Sequence, residues 1–260
     1  MPQPTPPADV DAALADLLAR LRAALGDRLR GVYLVGSLAL GDFRPDSSDI
    51  DLLVVTDAAL DDMEVERLRD LHARFDAGGS PWAARVEAVY VPELVLRSPA
   101  PQAERCPQVE KGTALFVAPL ESGWVFQRFT LREHGVALDG PAPQTLLGPI
   151  DVQEMRPAVA AIAGEWRGQA RNNLSWLEWL RQREDQVFVV QTLCRMLYSL
   201  ATGAVASKPC AAQWAQRALP APWPALIGRS LAAGDDAAPV TQSDLDDTVA
   251  FVEYTFEQSL

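Results

Sequence analysis

The segment that most constrains this chain is Asp49-Ile50-Asp51 running directly into Leu52-Leu53-Val54-Val55. The apolar run is short and rich in strand formers, so it reads as a β-strand anchored in a core. In an extended backbone alternate side chains point to one face, which puts both carboxylates on the same side with Cα atoms roughly 7 Å apart. Such a pair can bridge one hard divalent cation. Magnesium prefers oxygen ligands and usually takes one or two carboxylates together with substrate phosphates. A rigid apolar strand behind the pair gives it the fixed geometry that electrostatic catalysis needs.

An Asp-x-Asp alone is commonly a solvated turn, so its neighbours carry the argument. Gly31-Val32-Tyr33-Leu34-Val35 reads as a strand closed by Gly36-Ser37, and a turn cluster, Gly41 to Ser48, leads on to the acidic pair. Gly36 permits close backbone approach, and Ser37 offers a hydroxyl and an N–H at a point where a helix is expected to begin and an anion could be held. A third acid, Glu87, sits in the apolar run Val86-Glu87-Ala88-Val89. A lone carboxylate is costly to bury in such a setting, and an adjacent metal or a substrate proton to abstract would account for it.

Around these motifs the spacing of Val10, Leu14, Leu17, Leu18, Leu21 and Leu25 predicts an amphipathic helix with Asp9 as its cap, and Glu64 to Phe75 predicts a second. With the third strand at Arg85–Val91, the order is helix, strand, strand, helix, strand. Between Pro92 and Pro149 the pattern gives only short strands near Ala114–Val117 and a helix near Val125–Glu133. After Asp151 the chain reads as helical, over Val152–Ala163, Glu165–Arg183, Val187–Ala201, Cys210–Ala218 and Asp244–Gln258. Breaks are expected at Gly203, Pro209, Pro220–Pro224 and Gly234–Asp236. The fold class is therefore α/β (α+β). Residues 1–8 are a loose tail, 9–150 a domain with a small mixed sheet and flanking helices, and 151–260 an all-helical domain.

Composition narrows the partners. With 48% apolar and 22% charged residues in 260, the chain has the balance of a soluble globular protein, and its apolar runs are far short of the roughly 20 residues of a membrane span. The net charge of −12 argues against a nucleic-acid partner, which needs a basic footprint, and suits a cationic small substrate. Three scattered cysteines, Cys106, Cys194 and Cys210, with two histidines form no disulfide or zinc framework and fit a reducing cytoplasm.

Gly36-Ser37 followed, after about a dozen residues, by Ser48-Asp49-Ile50-Asp51-Leu52-Leu53 resembles the signature of the DNA polymerase β-type nucleotidyltransferase superfamily. Within it, the chain is most similar to the aminoglycoside adenylyltransferases that modify streptomycin and spectinomycin. Arg132 to Leu138 with Gly140-Pro141 resembles their domain junction. Leu193 to Ser199 with Gly203 and Lys208, and Ala211 to Ala215 with Leu219-Pro220, resemble their helical domain.

The resemblance implies a monomeric, cytoplasmic enzyme that transfers AMP from ATP to a drug hydroxyl, with two magnesium ions. In that scheme Asp49 and Asp51 hold metal, Glu87 is the base and a further metal-site acid, and Gly36, Ser37 and Ser48 lie on the nucleotide. Arg195 and Lys208 reach its phosphates from the helical domain. Trp176 and Asp185 meet the drug, with Glu178 or Glu184 adding acidity. The chain departs from the family where Arg181 replaces an expected acid and Phe188 an Asn or His. A family tryptophan has no counterpart near Arg105. Two other readings stay open at this point: a nucleotidyltransferase acting on a protein or other metabolite, and a catalytically silent nucleotide or drug sensor.

Overall fold

The computed structural model describes residues 8–99, 103–232 and 239–260. The expected tail and the break expected at Gly234–Asp236 lie outside the described residues, Ala8 apart. The chain divides into two compact units, one ending at Ile150 and one spanning Asp151–Leu260.

The first unit runs α1 (Ala8–Leu25), β1 (Leu29–Leu34), α2 (Gly36–Leu40), β2 (Ile50–Thr56), α3 (Asp62–Asp76), β3 (Val86–Pro92), α4 (Glu93–Arg97), β4 (Arg105–Val109), β5 (Phe116–Pro119), α5 (Trp124–His134), β6 (Val136–Asp139) and α6 (Pro143–Leu146). Its strands form one mixed sheet in the order β5-β4-β3-β2-β1-β6. The β2–β3 pair is parallel and every other pair is antiparallel.

Asp51 and the terminal Thr56 apart, β2 is apolar because both of its faces are covered. Ile50, Leu52 and Val54 pack with the buried stripe of α1 (Val10, Leu14, Leu17, Leu21) and with Leu68 and Phe75 of α3. Leu53 and Val55 face the opposite layer, with Val91, Leu96, Trp124 and Leu131. Each such side chain contributes about 1.5–3 kcal/mol on burial. The period-2 alternation also decides where the acids go. Asp51 shares parity with Leu53 and Val55, and Glu87 with Val89 and Val91, so both fall on the second face.

The structure corrects several expectations. α1 begins at Ala8, so Asp9 lies inside its first turn, where its carboxylate accepts from Trp82 Nε1 at 2.8 Å instead of capping. Arg85 ends a short 3-10 turn, Ala83–Arg85, and β3 starts one residue later. Among the described residues the Pro92–Pro149 stretch holds β4, β5 and β6, whereas the pattern places its short strands only near Ala114–Val117. The strand expected near Ala114–Val117 is shifted to Phe116–Pro119 as β5, and β6 emerges from the segment likened to a domain junction. α3 keeps a capping box, with Asp61 and Glu64 bonding each other's backbone N–H at 2.8 Å.

The second unit runs α7 (Val152–Asn172), α8 (Leu174–Trp179), α9 (Arg183–Thr202), α10 (Lys208–Ala218), α11 (Trp223–Ala232) and α12 (Gln242–Ser259). α9 packs against α7, α10, α11 and α12, and its Val189, Val190, Leu193 and Cys194 are fully buried. α7 continues through Gly164, where the pattern predicts a break. The break falls instead at Asn173, whose side chain caps α8 by accepting from Ser175 N and Trp176 N. Pro209 and Pro224 are not breaks. Each occupies the first turn of a helix, where a missing N–H costs nothing, and α11 escapes the sequence pattern for that reason.

His72 is 4% exposed and its Nε2 lies 2.6 Å from the hydroxyl of buried Tyr90. Burial lowers its pKa from 6.5 to about 4. The folded state therefore binds fewer protons than the unfolded chain between those values. Stability from neutral His72 is fully present above pH 6.5 and is lost as pH falls toward 4, an effect of about 3 kcal/mol at most. Urea unfolding between about pH 7 and 4 should show this acid-limb loss, and His72→Gln, which cannot titrate, should flatten it. Equal acid slopes in the two proteins would refute the assignment.

Candidate active site

Two parallel strands start the site. In their register Asp51 stands directly beside Glu87, and Asp49, two residues upstream of Asp51, shares its parity just before β2 begins. β1 closes the third side. Val35 N–H donates to Asp51 C=O at 3.0 Å, so the chain leaving β1 is stitched to β2 where Gly36 turns away.

Gly36 has φ +59, and a Cβ placed there would lie 1.9 Å from Asp51 Oδ2. Both the backbone conformation and the space require glycine. The next residue, Ser37, has a buried hydroxyl without a hydrogen-bond partner, a polar group placed to meet a ligand. α2, five residues long, adds little macrodipole, so any anion there would rest on the N–H groups and this hydroxyl. Ser48 differs. Its hydroxyl accepts from Arg44 N–H at 2.9 Å, which closes the turn leading into Asp49.

Two basic residues that sequence reasoning missed complete the geometry. The Arg85 guanidinium lies 4.6 Å from the Trp82 ring centroid and donates through Nη1 to Pro45 C=O at 2.5 Å and through Nη2 to Ser48 C=O. One side chain thus ties the loop before Asp49 to the strand carrying Glu87. Lys111, in the β4–β5 turn, places Nζ 2.9 Å from Asp49 Oδ1. That is an ion pair without hydrogen-bond alignment, since the same oxygen has no hydrogen-bond partner. Its backbone N–H donates to Glu87 Oε1 at 3.4 Å. Neither contact has a periodic signature, because each joins residues brought together only by strand pairing.

Burial raises the Glu87 pKa above the usual carboxylate range. The Asp51 charge adds to this, with smaller contributions from Asp49 and Glu110, and the Lys111 amide opposes it. The carboxylates do not form a finished cage: among the described residues no group of three acids, histidines or cysteines stands ready to hold a metal ion. The donor chemistry nevertheless fits magnesium, which needs only one or two carboxylates when phosphates supply the rest. The Lys111 ammonium already marks Asp49 as a cation position.

The remaining expected residues belong to the second unit. Trp176 on α8 lies 6.1 Å from Trp179, which lies 6.5 Å from Phe188, itself 6.3 Å from Trp166. Asp185, in the first turn of α9, accepts a hydrogen bond from Trp179. Burial raises its pKa, and Glu184 adds to the rise. Lys208 opens α10 with Nζ 4.6 Å from the Phe188 centroid, a cation–π arrangement. Arg195 is half-buried on α9, two turns along the same face from Phe188, about 10 Å by helical rise. Arg181 pairs with Glu178 at 3.3 Å and donates to Gln242 Oε1 at 3.0 Å, so the charge of Glu178 is offset.

Known proteins show the same two-part organisation. A family profile described as "Nucleotidyltransferase domain" matches residues 17–112, and one described as "Aminoglycoside adenylyltransferase, C-terminal domain" matches residues 145–258. "Aminoglycoside (3'') (9) adenylyltransferase" proteins of Shigella flexneri and Escherichia coli are each 29% identical over 231 residues, covering 85% of this chain and 83% of theirs. The Rhizobium radiobacter protein of that name is 27% identical over 230 residues, covering 84% and 81%. The crystal structure of the Enterococcus faecialis spectinomycin adenyltransferase AAD(9), with ATP and spectinomycin, has the same fold at a TM-score of 0.69 and 17% identity, covering 95% of this chain and 99% of that one.

An acidic strand pair beside a Gly-Ser turn, on a sheet matched by that first profile, makes this chain a nucleotidyltransferase. With the second profile and relatives that run along most of its length, it resembles the aminoglycoside adenylyltransferase family in both of its units.

Gly36→Ala should lower nucleotidyl transfer about a hundredfold, because displacing Asp51 by an ångström is enough to misalign the reacting groups. Pyrophosphate release measured alongside the melting temperature checks this. A variant that retains turnover would mean Asp51 tolerates displacement.

Proposed function

We propose that the protein transfers AMP from ATP to a hydroxyl of an aminoglycoside-type antibiotic in a magnesium-dependent reaction that releases pyrophosphate. The observation that carries the reading is the parallel register of Asp51 and Glu87, with Asp49 on the same face and Gly36 packed onto Asp51. The names of the relatives, and the ATP and spectinomycin that accompany the Enterococcus enzyme in its crystal structure, support the choice of co-substrate and acceptor class.

In this reading Asp49 and Asp51 are the metal carboxylates, with Glu87 beside them. Magnesium bound there would neutralise charge developing on the transferred phosphate. Ser37, with its unsatisfied hydroxyl, meets the triphosphate, and Ser48 orders the turn before Asp49. Arg195 and Lys208 supply positive charge for the phosphates from the helical unit. Glu87 accepts the proton of the acceptor hydroxyl as that oxygen attacks the α-phosphorus, and the P–O bond to pyrophosphate breaks. Its elevated pKa suits a group that must take up that proton. The acceptor meets Trp176 and Asp185, an aromatic face beside a carboxylate, which is the pairing that binds an ammonium or guanidinium group.

Incubation with labelled ATP and a panel of aminoglycosides should give a drug adduct heavier by one AMP. Labelled protein without labelled drug would move the acceptor to a polypeptide. Glu87→Gln should reduce turnover by about three orders of magnitude while ATP affinity changes little. Unchanged turnover would remove Glu87 from the role of base.

A further inference from the structure

The charge that touches the acidic strands from outside them is Lys111, and its two polar groups engage different carboxylates. It sits in the turn joining β4 and β5, next to Gly112 at φ +71. Three bonds between Glu110 and Thr113, Glu110 N–H to Thr113 Oγ1 at 3.2 Å and Thr113 N–H and Oγ1–H to Glu110 C=O at 3.0 Å each, close that turn. From it the ammonium reaches Asp49 Oδ1 at 2.9 Å while the amide reaches Glu87 Oε1 at 3.4 Å. Like charges on neighbouring strands repel, and a counter-charge offsets part of that repulsion. Lys111 supplies that charge on a flexible stem.

The strength of the contact matters as much as its position. The Lys111 side chain is 52% exposed and that of Asp49 28%, and the pair lacks hydrogen-bond alignment. An ion pair of that kind contributes little, enough to bias the position of Asp49 and too little to hold it against a divalent ion. The absence, among the described residues, of a finished three-ligand group fits a site whose leading carboxylate is engaged elsewhere.

We propose that Lys111 is the resident counter-ion of the acidic site: the hairpin sets its ammonium on Asp49 and its amide on Glu87, keeping the carboxylates together, and Lys111 yields Asp49 when a divalent cation loads. This rests on the reading of Asp49 and Asp51 as metal ligands. Loading is then an exchange of one cation for another, and the cost of freeing Asp49 lowers the apparent metal affinity. The amide contact to Glu87 does not depend on the side chain, so the two functions separate by substitution.

The test uses the full chain with Mn2+ alone, free Mn2+ being read by electron paramagnetic resonance, without nucleotide. Lys111→Met keeps the stem and the amide and removes the charge. Lys111→Arg keeps the charge. The Met variant should bind Mn2+ about two- to fivefold more tightly than wild type at low salt, with the gap narrowing as salt rises, and the Arg variant should stay close to wild type. Circular dichroism verifies that each variant is folded. Equal or weaker Mn2+ binding by the Met variant overturns the proposal while leaving the metal reading intact. Failure of wild type and the Met variant alike to bind Mn2+, with Asp49→Asn indistinguishable from both, overturns the metal reading and the proposal with it.

Discussion

The structure turns on the parallel pairing of β2 with β3. That pairing is what sets Asp51 beside Glu87, and it is possible because both strands are apolar on both faces beyond their first residues and so can lie inside the sheet. The same register makes the site unfavourable by itself. Burial first, and then the Asp51 charge on the adjacent strand, raise the proton affinity of Glu87. The fold therefore stores charge repulsion at one end of a sheet whose core supplies the compensating stability.

That repulsion is handled by groups from elements far apart in sequence. Arg85 braces the loop in front of Asp49 through two backbone carbonyls and is itself laid flat on Trp82, which in turn donates to Asp9 of the first helix. Gly36 lets the β1 exit pack onto Asp51 without a side chain in the way. The result is a pair of acids whose positions are fixed from the strand side, with a buried, unsatisfied serine hydroxyl in the residue after Gly36. Pre-organisation of this kind costs stability locally and removes the need for rearrangement during the chemistry.

How much of this is legible in sequence depends on whether the information is local. β1, β2 and β3 can be read because double-sided burial writes itself as unbroken apolar runs, and the acidic residues stand out as exceptions within them. β4 cannot. Arg105-Cys106-Pro107-Gln108-Val109 contains a proline and alternates poorly, and it is a strand because β3 and β5 flank it. β6 pairs with β1 across about a hundred residues, a contact that no window of sequence contains. Lys111 and Arg85 escape for the same reason, since an ion pair or a carbonyl clamp across strands leaves no period behind it. In the helical unit the errors are of the opposite sort. Prolines read as stops, whereas Pro209 and Pro224 sit where a helix starts, and Asn173, an ordinary-looking polar residue, makes the actual break by capping α8.

The departures from the family pattern gain physical content from these contacts. Arg181 stands where an acid was expected, and it does more than remove a negative charge: it pairs with Glu178 and reaches Gln242, so it withdraws a second carboxylate from the acidity available to a cationic ligand. Phe188 replaces a hydrogen-bonding residue with a ring that extends the run Trp176, Trp179, Phe188, Trp166 and already carries the Lys208 ammonium. In the proposed reading both changes exchange hydrogen-bonding and charged groups for aromatic surface, with Asp185 and its Trp179 bond as a carboxylate beside the rings.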